Sequence, residues 1–280
     1  MCKKAIFLII ICVIISCEKK EKDKPLSKPK FSDHTSFTNT HIAVIEGSPG
    51  FETVITLNAV PIFYNDTILA TEHVRLSSVS GFLHFYSTVN YISALSGNED
   101  MKVIQIPENI YTTSYGAISS DETIIDNFNK YLEEIRINGI YKNIWDRWFD
   151  ITRDSDAFLP SFTSLGGNGN FTVAICSDSA PFTYIGKDGV YTGFSIDLLL
   201  SYAARLEKKV QFFDINLDGI LLFIENKKAD FGIANIPIIQ NKNRSFFYSD
   251  PIYEDTQGIL VLRSNTEIYD NISVQDGKGI

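Results

Sequence analysis

The feature that most constrains the fold is an alternation of short apolar runs with helical patterns between residues 171 and 236. Phe171–Cys176, Val210–Phe213 and Asp230–Ile236 have the length and composition of buried strands. Between the first two runs, apolar residues recur at helical spacing: Ile196, Leu199, Leu200, Ala203 and Leu206. Strands that alternate with helices form βαβ units, in which neighbouring strands run parallel. This region is therefore predicted to be an α/β unit.

A second amphipathic stripe lies in the first half of the chain and predicts another helix. Its members are Ile124, Ile125, Phe128, Tyr131, Leu132 and Ile135. Asp121 is predicted to cap this helix, and Asn138-Gly139 is predicted to end it. In the later unit, Ser195 and Asp218 are the predicted caps. Two separated stripes predict two lobes, each with its own core.

The first residues of the chain predict export and anchoring. Lys3 and Lys4 precede an apolar run of eleven residues, Ala5–Ile15, whereas a membrane-spanning helix needs roughly 20. The run ends in Ile14-Ile15-Ser16-Cys17, which resembles the lipobox of bacterial lipoprotein precursors. The resemblance implies that residues 1–16 are a signal peptide and that Cys17 carries the lipid anchor. The alternative is an ordinary secretory signal that contains an incidental cysteine.

Composition excludes several classes of function. The formal net charge is -9, and an acidic chain without a basic cluster in its folded part is a poor candidate for binding nucleic acid. After removal of the signal peptide only Cys17 and Cys176 remain, and no CxxC pair or Cys/His cluster is present. A zinc or redox site is therefore not expected, and no cofactor is predicted. Cys176 is predicted to be a buried free thiol at the end of a strand.

The later unit resembles the first lobe of family 3 bacterial extracellular solute-binding proteins, the amino-acid receptors of ABC importers. Matching pieces occur in order over about residues 170–264: Ala180-Pro181-Phe182, Gly193-Phe194, Asp197-Leu198, Asp218-Gly219, Ala229-Asp230 and Tyr248-Ser249-Asp250-Pro251-Ile252-Tyr253. The resemblance implies a periplasmic binding protein type II-like fold, with two α/β lobes and mixed, mainly parallel sheets. It also implies a protein that binds a small molecule and contacts an ABC permease.

The first half resembles the second lobe of the same family. His41–Ile45 with Gly47-Ser48-Pro49-Gly50 is similar to the opening strand and turn, and Tyr141–Phe149 is similar to the closing helix. The predicted order is therefore a tether over 17–40, a second-lobe-like domain over 41–150, a linker over 151–170 and a first-lobe-like domain over 171–264. Residues 265–280 resemble the start of another second lobe. The chain is either part of a longer tandem or a permuted protein whose halves close on each other.

The resemblance implies a set of candidate ligand contacts. Phe182 and Tyr184 are the aromatic cover, and Ser48 offers a hydroxyl beside glycines. Lys242 stands where the family has a carboxylate-binding arginine, and Arg244 is a possible substitute. Asn235 is the last member of the predicted ligand set. The acid that binds the ligand's amino group is expected near Val89-Asn90, but the sequence has no acidic residue there.

These features predict a non-enzymatic, membrane-anchored lipoprotein of the cell envelope that binds a small polar solute through a degenerate or altered amino-acid site. It would face the periplasm or the cell exterior. One alternative is the sensory input module of an envelope receptor, and another is a non-binding fragment of a tandem protein. A third alternative is a dehydratase-like enzyme on the same fold, although no catalytic acid and base can be assigned from the sequence.

Overall fold

A computed structural model describes residues 31–149, 159–162, 166–239 and 245–266. The predicted signal peptide, Cys17, most of the predicted linker and the last fourteen residues lie outside these ranges. Within them, no helix has both the length and the apolar composition that a membrane crossing requires. The described ranges contain two α/β lobes, each built on its own sheet.

The first sheet has the strand order β2-β1-β3-β13-β4. Its strands are β1 (His41–Ile45), β2 (Val60–Tyr64), β3 (Gly81–Phe85), β4 (Met101–Gln105) and β13 (Gln257–Leu262), and its helices are α1 (Gly50–Thr56), α2 (Thr67–Arg75) and α3 (Tyr86–Ala94). β1 runs parallel to β2 and β3, whereas β13 runs antiparallel to β3 and β4. We call this sheet and its helices the N-terminal lobe.

The second sheet has the order β11-β5-β10-β6-β9, with β12 also paired to β5. Its strands are β5 (Thr113–Ser119), β6 (Asn170–Ile175), β9 (Lys209–Asp214), β10 (Phe231–Pro237), β11 (Phe247–Tyr248) and β12 (Tyr253–Asp255), with a hairpin of β7 (Tyr184–Ile185) and β8 (Tyr191–Thr192) beside it. Its helices are α4 (Glu122–Ile137), α5 (Ile140–Phe149), α6 (Phe194–Arg205) and α7 (Leu217–Glu225). We call this group the central lobe.

Each lobe receives one strand from the other part of the chain. β5 comes from the first half but lies between β10 and β11, and β13 comes from the second half but lies between β3 and β4. The sheets therefore divide the chain differently from the predicted domains 41–150 and 171–264, because α4 and α5 follow β5 into the central lobe. Both exchanged strands run antiparallel to β10 or β3, so the sheets are mixed, with more antiparallel pairing than predicted.

The cores follow this exchange. Buried residues of α4 and α5 share one cluster with buried residues of β6, α6 and β10. The opposite face of the central sheet has a smaller cluster under α7. The N-terminal sheet likewise has a cluster on each of its faces, one under α1 and the other under α2 and α3. The predicted fold class of two α/β lobes with mixed sheets is confirmed. The two parts of the chain share both sheets.

The helix boundaries are partly as predicted. Asp121 caps α4, since its carboxylate accepts a hydrogen bond from the Thr123 N–H at 2.9 Å, and the helix ends before Asn138. The other two predicted caps are wrong. Asn216, and not Asp218, caps α7, and α6 begins after Gly193, so Ser195 is a buried residue of its first turn. Gly193 takes this position because the close approach to Phe182 leaves no room for a side chain.

Ordered packing begins earlier than the predicted tether boundary at residue 40. Phe31 and Phe37 are buried and stacked, with ring centroids 4.3 Å apart. The Phe31 N–H donates to the Asn265 carbonyl at 2.6 Å, which joins this segment to the strand end after β13. The two rings extend the cluster under α1, and burial of aromatic area explains why a polar segment packs here.

Candidate functional site

The candidate site is a cleft between the carboxyl ends of the parallel strands in the two lobes. α3 follows the carboxyl end of β3, and the hairpin with Tyr184 follows the carboxyl end of β6. Tyr91 of α3 contacts Tyr184 across the gap, with ring centroids 5.9 Å apart. In open α/β sheets, this edge is where ligands bind.

An aromatic column lies in the core of the central lobe. Tyr115 stacks on Tyr253 at 4.8 Å between centroids, and Tyr253 stacks on Phe182 at 4.4 Å. Phe182 is fully buried and packs against Phe149 and Phe194 as well. Its position is that of a packing residue, whereas the predicted role was a ligand cover.

Tyr184 is the predicted cover that does face the cleft. Its ring is half-buried and lies between Tyr91 on the opposite lobe and Trp148 of α5, at 5.9 Å and 6.3 Å between centroids. Trp148 is fixed in turn, because its indole N–H donates to Asp197 at 2.9 Å. Tyr91 was not selected from the sequence, because helical spacing alone does not show that it crosses to another lobe.

A buried carboxylate lies where the chain crosses between the lobes. Asp255 ends β12, and its carboxylate accepts hydrogen bonds from the hydroxyl and the backbone N–H of Ser87 in the first turn of α3. Phe85 precedes this helix and offers no side-chain cap, so Asp255 caps it from the other lobe. Burial raises the pKa of Asp255 to about 6, and hydrogen bonds from Ser87 and Thr256 limit the rise.

Aromatic rings surround this carboxylate. Phe85 lies 5.5 Å from Tyr115 and 6.4 Å from Tyr111, measured between ring centroids. Burial raises the pKa of Tyr115, and the nearby Tyr111 and Asp255 raise it further. Burial likewise raises the pKa of Tyr253, with a smaller contribution from Asp255. The charge of Asp255 is therefore felt on both tyrosines, which remain neutral at physiological pH.

The buried polar atoms without a hydrogen-bond partner among the described residues include three oxygens: Ser48 Oγ, shortly after β1, and Tyr115 Oη and Gln257 Oε1 near the crossover. Gln257 is the direct cross-strand neighbour of Phe85, and it lies two residues beyond Asp255. Buried polar atoms are normally paired, so groups left without a partner point to a site that another molecule completes. Ser48 belongs to the predicted ligand set, and the other two were not predicted.

The remaining predicted contacts have different outcomes. Asn235 is half-buried, and its Oδ1 accepts from the Tyr253 hydroxyl at 2.8 Å, so it supports the aromatic column. Val89, near which the amine-binding acid was expected, is fully buried in α3 beside Gly258. Lys242 and Arg244 lie outside the described residues. No cluster of metal-binding side chains occurs in the part of the chain that the structure describes.

Cys176 has no disulfide partner and is half-buried at the end of β6. Burial raises the pKa of its thiol, and the neighbouring Asp178 and Asp214 add to the rise. A thiol with a raised pKa is a poor nucleophile at neutral pH. The prediction of a free thiol at the end of the strand agrees with this position, but the side chain is only half-buried, whereas it was predicted to be buried.

Comparison with known proteins identifies the family that the later part of the chain matches. Residues 171–277 match the model of bacterial extracellular solute-binding proteins, family 3. The family resemblance predicted from the sequence is therefore confirmed for this part. It covers β6 to β13, which includes Tyr184, Asp255 and Gln257.

Two curated relatives are both binding proteins by name. A probable histidine-binding protein from Neisseria gonorrhoeae is 30% identical over 91 residues, which are 32% of this chain and 34% of the relative. The octopine-binding periplasmic protein of Rhizobium meliloti is 27% identical over 96 residues, which are 34% of this chain and 33% of the relative. The chain thus spans about a third of the length of these relatives.

Among solved structures, the chain is similar to a phosphate-binding protein of a phosphate ABC transporter from Streptococcus pneumoniae. The TM-score is 0.42 at 12% sequence identity, and the similarity covers 81% of this chain and 90% of that one.

Proposed function

We propose that this protein is a lipid-anchored, extracytoplasmic solute-binding protein that closes its two lobes around a small polar molecule. The observation that carries the proposal is the reciprocal exchange of β5 and β13 between the sheets. Two connections consequently join the lobes side by side: residues 106–112, which contain a turn, and the extended residues 255–257; the Ile106 N–H donates to the Gln257 carbonyl at 2.8 Å. A pair of adjacent connections permits hinge bending about one axis, and hinge closure around a ligand is how two-lobed receptors work.

The site differs from that of an amino-acid receptor. The names of two relatives refer to histidine and octopine, and both ligands combine a carboxylate with cationic groups. Here the sequence has no acidic residue adjacent to Val89-Asn90, and Lys242 stands where the family has its arginine. A bidentate arginine matches a carboxylate in a way that a lysine does not. We therefore expect no common amino acid to bind with a dissociation constant tighter than about 10 μM.

Binding is tested by thermal shift and titration calorimetry against amino acids, octopine, sugars, phosphate and simple amines. We expect at least one solute to raise the melting temperature and to reduce the radius of gyration in small-angle scattering, because closure compacts the two lobes. Tyr184→Ala should weaken this binding. Tyr191→Ala, on the other strand of the same hairpin, is the matched control. A protein that neither binds nor closes with any solute would contradict the proposal.

The anchor is tested separately. Cys17→Ser should abolish partition into detergent, because the proposed acyl chains are attached there and each buried CH₂ contributes about 0.8 kcal/mol to membrane binding. If the variant stays with the membrane after a carbonate wash, the protein is held by another segment. The solute-binding test does not depend on this result.

A further inference from the structure

We infer that the end of the cleft formed by Asp255, Gln257 and Tyr115 binds the ammonium group of a small organic amine that lacks a carboxylate. The inference rests on the proposed function, and it specifies the class of solute. An alkylammonium ion has up to three N–H donors and a positive charge, so it needs several acceptors and one anion in a dry site.

The acceptors are present and turned to the same part of the molecule. Asp255 and Gln257 are two residues apart in an extended segment, which places both side chains on one side of it. Tyr115 pairs with Tyr253, and Asp255 pairs with Thr113, so Tyr115 and Asp255 also share a sheet face. The Gln257 Oε1 and Tyr115 Oη atoms are buried and have no partner among the described residues.

The charge balance favours a cation. The Asp255 side chain is 7% exposed, and its hydrogen bonds come from neutral groups, the hydroxyl and N–H of Ser87. No lysine, arginine or histidine forms an ion pair with it within the described ranges. A buried carboxylate without a counterion is costly, and a cationic ligand would remove that cost.

The same balance disfavours an α-amino acid. In such a ligand the carboxylate is only two bonds from the ammonium nitrogen, so it would lie close to Asp255 in a buried site. Like charges at short range repel strongly when water is excluded. In an amino-acid receptor, removal of the ligand's carboxylate weakens binding. Here we expect the same change to strengthen binding.

The test compares four amino acids with the amines that result from their decarboxylation. Histamine, agmatine, tyramine and cadaverine are titrated against histidine, arginine, tyrosine and lysine by calorimetry. We expect at least one amine to bind tenfold or more tightly than its parent amino acid. Asp255→Asn should weaken the binding of that amine by at least about tenfold. Asp178→Asn, which changes an exposed carboxylate, should leave its affinity unchanged.

Two further variants separate binding from folding, because Asp255 also caps α3. Ser87→Ala removes the hydroxyl but keeps the carboxylate, so the preference for the amine should persist. Gln257→Leu keeps the cap but removes an acceptor, so amine binding should weaken. Equal losses in Ser87→Ala and Asp255→Asn would show that the carboxylate acts only as a helix cap and would overturn the inference.

The two proposals fail in different ways. A protein that binds a sugar, phosphate or an amino acid but none of the amines overturns the inference and retains the proposed function. A parent amino acid that binds as tightly as its amine also overturns the inference. If no solute of any class binds, both proposals fail.

Discussion

The two lobes have the same strand order but different cores. In the N-terminal lobe β1 lies between β2 and β3, and β13, from the other part of the chain, pairs with the far edge of β3. In the central lobe β6 lies between β9 and β10, and β5, from the other part of the chain, pairs with the far edge of β10. The central lobe has a large aromatic core to which β6, β10, α4, α5 and α6 contribute, and a smaller, mainly aliphatic cluster under α7. The N-terminal lobe has two smaller, mainly aliphatic clusters and exposes Phe51, Phe63 and Ile68.

The difference shows that strand order does not determine where stability lies. α4 and α5 have no counterparts in the N-terminal lobe, and they cover the central sheet with aromatic side chains. Buried apolar area contributes about 25 cal/mol per Å², so the central lobe should hold most of the free energy of unfolding. The N-terminal lobe, which contributes Ser48 and Ser87 to the cleft, should open more readily.

The largest expected loss of stability is that of an alanine substitution at Gly193, and the same substitution at Gly47 is the comparison. Both glycines have positive φ angles. Gly193 has φ 117°, and a Cβ there would lie 2.4 Å from the Phe182 carbonyl oxygen. Gly193→Ala should therefore reduce the free energy of unfolding by about 3 kcal/mol or more. Gly47 has φ 76° with open space around it, so Gly47→Ala should cost about 1–2 kcal/mol from backbone strain alone. Urea unfolding measures both; equal losses would contradict the close packing at Gly193.

A second comparison uses one ion pair from each lobe. Asp197 is 1% exposed and pairs with Arg147 while it accepts from Trp148, so Asp197→Ala leaves a buried donor without a partner. The expected loss is about 2–3 kcal/mol. Asp100 pairs with Arg75 at 3.0 Å on the surface of the N-terminal lobe, so Asp100→Ala should cost less than about 1 kcal/mol. Chemical denaturation of both variants would detect a reversed order, which would contradict the proposed distribution of stability.

The ionisation of Asp255 at the crossover and that of His84 in β3 should change the stability of the protein with pH in opposite directions. Asp255 has a folded pKa of about 6 against an ordinary value of 3.8, so its ionisation removes stability as pH rises between about 4 and 6. Burial lowers the pKa of His84 from 6.5 to about 4, so its contribution is lost as pH falls through the same range.

Single variants separate these two contributions. As pH rises from 4 to 6, the free energy of unfolding of Asp255→Asn should increase relative to that of the wild type, and that of His84→Gln should decrease. Each change is expected to be on the order of 1–2 kcal/mol. Melting temperatures at four or five pH values are sufficient. Parallel curves for the wild type and both variants would show that neither group titrates in this range.

The smallest expected effect concerns the contact between the lobes. Tyr91→Ala removes the ring that meets Tyr184 at 5.9 Å, and an aromatic pair contributes about 0.5–1.5 kcal/mol beyond its buried area. Global stability should change by less than about 1 kcal/mol, because the ring lies outside both cores. Small-angle scattering should show a more open average form. Unchanged scattering would mean that the crossover segments alone hold the lobes in place.

The sequence by itself determined many of the elements and the family resemblance of residues 171–277. Hydrophobic periodicity predicted β6, β9, β10 and the stripe of α4 within a residue or two, because a buried face requires that spacing whatever surrounds it. Ser48 and Tyr184 stay predicted ligand contacts that the sequence proposed from the family resemblance. Ser195 was wrong as a cap because the close approach of Phe182 places Gly193 at the start of α6. Asp218 was wrong because Asn216, an equally good capping residue, lies two residues earlier.

Only the tertiary structure decided which sheet each half completes and what lies at the crossover. β5 and β13 have the patterns of ordinary strands, and periodicity does not specify a strand's partner. Asp255 caps a helix that begins 169 residues earlier, at Tyr86, a contact made by residues far apart in the chain. Its burial, its raised pKa and the acceptors beside it depend on that meeting of two distant segments, and no local pattern encodes it.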